Sequence, residues 1–557
     1  MGAVDGSFNL ATHLLDRHVD EGRGDRVAVH YGSSALTYAD LQRQAHSVAA
    51  ALTRLGVEPE NRVVVCLPDC PAFLATYFGT LRIGAVPVLV NTYARPDDYL
   101  YYLNHSRAKV LVVHGTVLPR IREVADRLTW LRHLVVVQPD SDEPLDRHFP
   151  APRLERAAAY EDLVTPPARV PEPAPTSPDD MAFWMYSSGT TGRPKAVVHL
   201  HHDLLHFIPP HCQQVVGLGP QDKVFSTSKL FFSYGRNNSL DGPFLYGAQV
   251  ILSPDRPEPG AVLDLLEEHR PTVFYSVPTF YAALLDYLHR TGRSVRLSFL
   301  RCCISAGEAL PRAVFERWRE RFGLAIFDGV GSTEVGAIYL SNRPDCLRPG
   351  SSGKILEGFE ARLVGEEGRP VRVGEVGVLW VKNDGIFAGY WNDHHRTQAC
   401  LAGEWFNTGD LFYQDEDGFY WYVGRADDLL KPSGLWVSPL EVEGVLLQHP
   451  AVREAAVVGA LDEAGLEKPA AFVVLREGYQ PGPGLEEELK NFVRQQLPSY
   501  KCPRWVHFAT ELPRTTTGKL QRYRLREALR AQPVGTPSCW SSGSTTCPPP
   551  NTRAPVR

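Results

Sequence analysis

Apolar residues along the first third of this chain recur in two alternating rhythms. Tyr38-Ala39-Asp40-Leu41 through Leu52 and Leu55 repeat at helical spacing, and Val63-Val64-Val65-Cys66-Leu67 is an unbroken run of strand length. Ala72-Phe73-Leu74 to Leu81-Gly84 reads again as helix, and Ala85-Val86-Pro87-Val88-Leu89-Val90 as strand. Such alternation predicts parallel sheets layered with helices. Pro166 to Pro178 reads as a Pro-rich linker, and a second α/β series follows from Asp203 to Leu340. From Arg348 to Trp391 the pattern changes to short β runs broken by glycines, which predicts a small β-barrel unit. After Arg425 comes a shorter α+β segment that ends near Arg530. Pro533 to Arg557 is rich in Pro, Ser and Thr, and that composition predicts disorder. The fold class expected is therefore α/β: a large N-terminal domain of layered α/β sheets with a small β-barrel unit, then a small α+β C-terminal domain.

Composition narrows the field. At 557 residues the chain exceeds one ordinary domain, and 43% hydrophobic residues suffice for large cores. A net charge of -6 gives no global basic field, so nucleic acid is not expected as a partner. No apolar stretch is long enough to span a bilayer, and the Met1 region lacks the charged and apolar blocks of a secretory signal. The ten cysteines are scattered: Cys302 and Cys303 are adjacent, Cys66 and Cys70 stand apart, and Cys539 and Cys547 lie in the tail. Reduced thiols in a cytoplasmic enzyme without a membrane partner are the expectation.

The densest chemistry lies in Tyr186-Ser187-Ser188-Gly189-Thr190-Thr191-Gly192-Arg193-Pro194-Lys195. Apolar runs flank it, Ala182 to Met185 before and Ala196 to Val198 after, so the pattern is strand, tight loop, strand. Gly189 and Gly192 let backbone N–H groups close on an anion, the four hydroxyls add rotatable donors, and Lys195 adds charge. These features suit a polyphosphate. The Walker pattern is excluded, because Lys195 follows Pro194 and enters a β-branched run rather than a helix.

Further carboxylates and a lysine sit on small-residue turns. Gly331-Ser332-Thr333-Glu334 follows the apolar Ile326-Phe327-Asp328, placing Glu334 where α/β sheets bind ligands. Alone it also reads as a helix cap. As a site, Glu334 suits Mg²⁺, which prefers carboxylate and phosphate oxygens together. Ser305-Ala306-Gly307-Glu308 is a second strand-to-helix turn, and Thr408-Gly409-Asp410 presents a carboxylate able to accept from two ribose hydroxyls. Gly424-Arg425-Ala426-Asp427, then Gly434, then Thr517-Gly518-Lys519 complete the series. Lys519 alone reads as a solvated surface charge.

Taken in order, these motifs resemble the adenylate-forming superfamily of acyl-CoA synthetases, peptide-synthetase adenylation domains and luciferases. The resemblance includes Arg82-Ile83-Gly84-Ala85-Val86-Pro87-Val88 upstream and covers nearly everything except the tail. It implies ATP, Mg²⁺ and coenzyme A. It places ATP against Ser187, Ser188, Gly189, Thr190, Thr191, Gly192 and Lys195, against Ala306, Gly307 and Glu308, and against Asp328, Gly329, Ser332 and Thr333. Asp410, Arg425 and Lys519 complete that set. Glu334 is the implied metal ligand, and Lys519, Glu334 and Thr190 the implied catalytic groups. Gly434 would line the coenzyme A tunnel and Asp427 would be the hinge of a mobile C-terminal domain. The implied domains are 1–426, 427–531 and a disordered tail at 532–557.

A narrower resemblance is to benzoate-CoA ligases. It rests on Lys229-Leu230-Phe231-Phe232-Ser233-Tyr234-Gly235, on His269 through Thr279, and on Val437-Ser438-Pro439. It implies an acid pocket lined by Ser233, Tyr234, Gly235 and Gly331, and Arg236, Ala337 and Ile338 are further candidates for the same wall. Apolar and aromatic walls suit a flat ring. The Phe231-Phe232-Ser233-Tyr234 run carries no Asp for an amino-acid ammonium. Three departures stand out. Ala337 replaces a ring-facing His, Arg236-Asn237-Asn238 replaces a mostly small, apolar stretch, and Pro432 interrupts the loop before Gly434. The first two point to substituted aryl acids rather than plain benzoate. The reaction implied is activation of an aromatic acid to an acyl adenylate and transfer to coenzyme A, releasing AMP and pyrophosphate. The alternative is a free-standing adenylating enzyme that loads a carrier protein in trans. A homodimer is the other association left open.

Overall fold

The computed structural model describes residues 6–137, 149–187, 193–365, 367–426, 428, 430, 437–463, 465–514 and 520–530. It divides into two compact units: residues up to Thr408 with Tyr413–Trp421, and Gly409–Phe412 with the chain from Tyr422 onward. The division passes through the strands Trp405–Gln414 and Tyr420–Arg425.

The first unit holds two large sheets among its described residues. The strand order of the eight-stranded sheet runs Gly389–Tyr390, Lys195–Leu200, Met181–Ser187, Val86–Leu89, Arg62–Cys66, Val110–His114, His133–Val137, Arg156–Ala159. From Met181–Ser187 to Arg156–Ala159 every pairing is parallel. These strands are covered on both faces, which is why Val63, Val64, Val65 and Cys66 form an unbroken buried run. The helix Tyr38–Arg54 starts at a capping box in which Thr37 and Asp40 satisfy each other's backbone donors. Helix Pro71–Arg82 packs tightly on it, since a Cβ on Gly79 would lie 2.6 Å from the Ala45 carbonyl.

The nine-stranded sheet is parallel through its centre. Gln249–Leu252, Lys223–Ser226, Val273–Ser276, Cys302–Ala306 and Ile326–Gly331 lie side by side, with antiparallel strands at both edges. The expected α/β layering is thus present in both halves of the first unit. The region read as a small β unit contains the antiparallel pair Glu360–Val364 and Gly377–Lys382. The second unit is α+β. Its sheet has Val452–Leu461 antiparallel to Glu467–Leu475, which is parallel to Trp505–Ala509. Helices Pro439–Leu446 and Pro483–Arg494 bury Val442, Leu446, Leu489 and Val493 against it. The tail 532–557, with Cys539 and Cys547, lies outside the described residues.

Candidate active site

Two neighbouring parallel strands and the turns after them carry one group of the candidate residues of the first unit. Cys302–Ala306 pairs with Ile326–Gly331, setting Ser305 opposite Asp328 and Ala306 opposite Gly329. Both strands end at the same edge. The Gly307-Glu308 turn and the Ser332-Thr333-Glu334 turn therefore leave the sheet side by side, at the carboxyl ends where open α/β sheets take ligands. Gly307 turns at φ +92°. Gly331 is fixed sterically, since a Cβ there would stand 2.5 Å from the Ala337 carbonyl oxygen.

The strands that flank residues 188–192 reach the same turn from the other sheet. Met181–Ser187 and Lys195–Leu200 are antiparallel with Ser187 opposite Lys195, so the strand–loop–strand reading holds for the flanks. Ser188, Gly189, Thr190, Thr191 and Gly192 lie outside the described residues. Glu334 is buried and its Oε1 gathers three donors: Tyr390 Oη at 2.8 Å, Lys195 Nζ at 3.3 Å and Ser187 Oγ at 3.5 Å. Lys195 also donates to Tyr390 Oη at 2.9 Å. Burial pulls the Glu334 carboxyl upward, but the Lys195 charge and the Tyr390 hydrogen bond outweigh it and hold it below its ordinary value. The group is a carboxylate at neutral pH. All three contacts fall on Oε1, and an ionised carboxylate has the oxygen-donor chemistry Mg²⁺ prefers. Among the described residues no group of three His, Cys, Asp or Glu side chains forms a metal site.

Asp328 is the opposite case. It is buried and accepts a long 3.4 Å hydrogen bond from Leu310 N at Oδ2; burial outweighs this and the Ser305 and Gly329 donors and pushes its carboxyl up to about 8.

The candidate acid wall is sterically constrained. Gly235 could not carry a Cβ, which would fall 2.1 Å from the Lys229 carbonyl oxygen. Tyr234 Oη donates to the Ser276 carbonyl at 3.2 Å, and Ser233 Oγ donates to the Gly336 carbonyl at 3.2 Å. Ala337 and Ile338 are buried. Gly336 has φ +87°, and a Cβ there would meet Phe207 at 2.5 Å, so Phe207 fills the space beside this glycine. Arg236, expected to face the acid, is placed differently. Its side chain is fully buried, its Nε lies 2.8 Å from Asp241 Oδ2, and its guanidinium carbon sits 3.6 Å above the centre of Phe183. The carboxylate and the ring give the cation internal partners, and this placement replaces the substrate-facing expectation.

In the second unit Asp410 and Arg425 form an ion pair at 2.9 Å. The Ala426 amide bonds the Gly409 carbonyl at 2.9 Å, and a Cβ on Gly409, at φ +69°, would crowd the Arg425 guanidinium. Asp427, Gly434 with Pro432, and Lys519 lie outside the described residues. Nearby, Arg522 donates to both oxygens of Glu443 at 2.7 Å, and Arg526 pairs with Asp428 at 2.9 Å.

Sequence reading missed Tyr390. It lies far along the chain and joins the site because Gly389–Tyr390 pairs antiparallel with Lys195–Leu200, Tyr390 opposite Val197. Its only trace is the Gly389-Tyr390-Trp391 run in a glycine-broken β stretch. His199 and Asp203 were also missed: His199 Nε2 meets the Thr333 carbonyl in the Glu334 turn, and Asp203 holds the other ring nitrogen.

Two layered α/β sheets whose strand ends converge on a buried carboxylate, a lysine and a tyrosine form an enzyme-like α/β site. The chain belongs to the AMP-binding enzyme family: the family's main domain matches residues 15–391 and its C-terminal domain residues 441–519. The chain is 42% identical to a benzoate-CoA ligase of Thauera aromatica, covering 94% of this chain and 96% of that one. It is 42% identical to a 4-hydroxybenzoate-CoA/benzoate-CoA ligase of Rhodopseudomonas palustris, covering 93% and 94%. Among solved structures, an anthranilate CoA ligase in complex with anthranoyl-AMP matches with a TM-score of 0.87 at 37% identity, covering 95% of this chain and 98% of that one.

Proposed function

We propose that this chain is an AMP-forming acid–thiol ligase that activates a substituted benzoate-like acid with ATP and transfers the acyl group to coenzyme A. The observation that carries the reading is the ionised, buried Glu334 held by Lys195 at 3.3 Å, in a chain so similar to benzoate-CoA ligases along nearly its whole length.

In this reading the aryl carboxylate attacks the α-phosphorus of ATP and pyrophosphate leaves. Lys195 and the loop Ser187–Lys195 bind the phosphate oxygens. Glu334 would hold Mg²⁺, which supplies neutralising charge to the departing phosphates. Ala306, Gly307 and Glu308 flank the adenine with Asp328, Gly329, Ser332 and Thr333, and Asp410 with Arg425 takes the ribose. Lys519 stabilises charge as it develops on the α-phosphate and carboxylate oxygens. Ser233, Tyr234, Gly235, Gly331, Ala337 and Ile338 surround the ring. The thiol of coenzyme A then attacks the acyl carbon and AMP leaves. A turn about Asp427 exchanges the Lys519 face of the domain 427–531 for the Gly434 face, where the missing side chain leaves room for pantetheine. No helix among the described residues is long and apolar enough to cross a membrane, and the reading places the enzyme in the cytoplasm.

A panel of substituted benzoates and heteroaryl acids tests this, scored by pyrophosphate release and by thioester formed with coenzyme A or with an aryl carrier protein. Aryl-CoA formed in step with pyrophosphate is the expected result. Transfer only to carrier protein would establish the free-standing adenylating alternative, and no release with any aryl acid would overturn the reading. Light scattering on the same preparation reports whether the enzyme is a homodimer.

A further inference from the structure

Behind the Glu334 turn lies a buried layer that the proposed reaction does not use. His199 ends in two oxygens: its Nδ1 is 2.9 Å from Asp203 Oδ2 and its Nε2 is 2.8 Å from the Thr333 carbonyl. Asp203 is fully buried and also accepts the Leu200 amide at 3.0 Å, which fixes the carboxylate. One face of His199 stacks on Phe183, with centroids 5.1 Å apart and planes at 26°. Phe207 meets the imidazole edge-on at 5.5 Å. Beyond Phe183 stands Arg236, over the ring at 3.6 Å and paired with Asp241 at 2.8 Å.

The neighbouring helix explains the pairing. Ser233–Arg236 runs into Asn237–Asp241, which is wound as a π-helix, and its i to i+5 spacing matches the separation of Arg236 and Asp241. Arg236 Nη2 also donates to Asn237 Oδ1 at 3.3 Å, while Asn237 Nδ2 donates to the Gly336 carbonyl. The layer thus grips the turn at two carbonyls, Thr333 on one side of Glu334 and Gly336 on the other. Nothing in it touches the Glu334 carboxylate itself. Charged groups with no exposure are costly to bury, and breaking one half of such a pair costs more still.

We propose that His199, oriented by Asp203 and clamped by the Phe183–Arg236–Asp241 stack, is a positioning residue that sets Glu334 through the Thr333 carbonyl, with Asn237 fixing the Gly336 end. The proposal rests on the reading of Glu334 as the group serving the ATP phosphates. A peptide carbonyl held at 2.8 Å next to Glu334 limits rotation of the turn, and small displacements of a charge-stabilising group are expensive in rate.

The test compares His199→Phe with His199→Gln. Phenylalanine keeps the stack on Phe183 and loses the donor, whereas glutamine can still present an N–H to Thr333. Three quantities are read: aryl-acid-dependent ATP–pyrophosphate exchange, thioester formation from supplied aryl adenylate, and calorimetric affinity for MgATP. His199→Phe should lower the exchange kcat on the order of tenfold, as expected for one lost hydrogen bond of this kind, with thioester formation within about twofold of wild type. His199→Gln should recover most of the loss. If His199→Phe does not fold, Asp203→Asn, which keeps an acceptor for the Leu200 amide, should show the same split at smaller size. Unchanged exchange in His199→Phe, or equal loss of both half-reactions without rescue by glutamine, overturns the proposal. Wild-type enzyme inactive on every aryl acid would overturn the functional reading instead. Positioning is then decided by MgATP affinity, which His199→Phe should weaken several-fold and His199→Gln should restore.

Discussion

Asp328 and Glu334 stand at the two ends of one strand-to-turn segment, both buried, and they are driven to opposite protonation states. Burial pushes Asp328 up to about 8, with a 3.4 Å amide contact as its opposing hydrogen bond to Oδ2. Burial acts on Glu334 too, but Lys195 at 3.3 Å and Tyr390 at 2.8 Å reverse the outcome. The difference teaches that depth alone does not assign chemistry to a carboxyl group in this site. A cation and a hydroxyl delivered from the other sheet do. Glu334 is left as an anion suited to a metal ion, and Asp328 as a neutral hydrogen-bonding group.

The largest expected effect lies in the second source of positive charge. Lys519→Ala should lower adenylation on the order of 10²–10³-fold while thioester formation from supplied aryl adenylate persists. Equal loss of both half-reactions would contradict the two-conformation reading. Next comes the cation that separates the two carboxyls. Lys195→Met should reduce pyrophosphate release on the order of 10²-fold and move the acid limb of the pH–rate profile upward. In the wild type the depressed Glu334 value contributes stability above the unfolded carboxyl range, lost as pH falls through the folded value. The variant should lose that contribution, and an unmoved acid limb would break the comparison.

Much of this site was legible in the sequence because its parts are local. The strand–loop–strand flanks of Ser187 and Lys195 and the small-residue turns at Gly307 and Gly331 each declare themselves within a few residues. Helix Tyr38–Arg54 and the buried strand Arg62–Cys66 followed from apolar spacing. What was not legible depends on pairings between distant strands. Tyr390 reaches Glu334 only because its strand adds to the edge beside Lys195–Leu200. His199 and Asp203 are four residues apart but carry no recognisable pattern, since strand and helix meet between them. Arg236 looked like a substrate contact because its partner Asp241 is visible only once the π-helical turn is known.

A smaller effect concerns Asp328. Between its ordinary value of 3.8 and about 8 the folded chain holds a proton that the unfolded chain releases. Its contribution to stability therefore falls as pH rises through that window, and Asp328→Asn should flatten the melting-temperature profile there. A profile unchanged by the substitution would show that Asp328 is ionised in the folded chain. The smallest effect is one of ranking. Ala337→His should refill space beside Gly331 and shift kcat/KM from substituted aryl acids toward benzoate by several-fold. An unchanged order across the acid panel would show that Ala337 does not face the ring.

One measurement tests the contrast most directly: ATP–pyrophosphate exchange at saturating aryl acid for Glu334→Gln and Asp328→Asn, each exchanging a carboxyl for an amide of nearly equal size. If Glu334 acts through its charge and Asp328 as a neutral group, the first should fall on the order of 10²–10³-fold and the second should stay within a few-fold of wild type. Similar losses in both, or a larger loss in Asp328→Asn, would contradict the account.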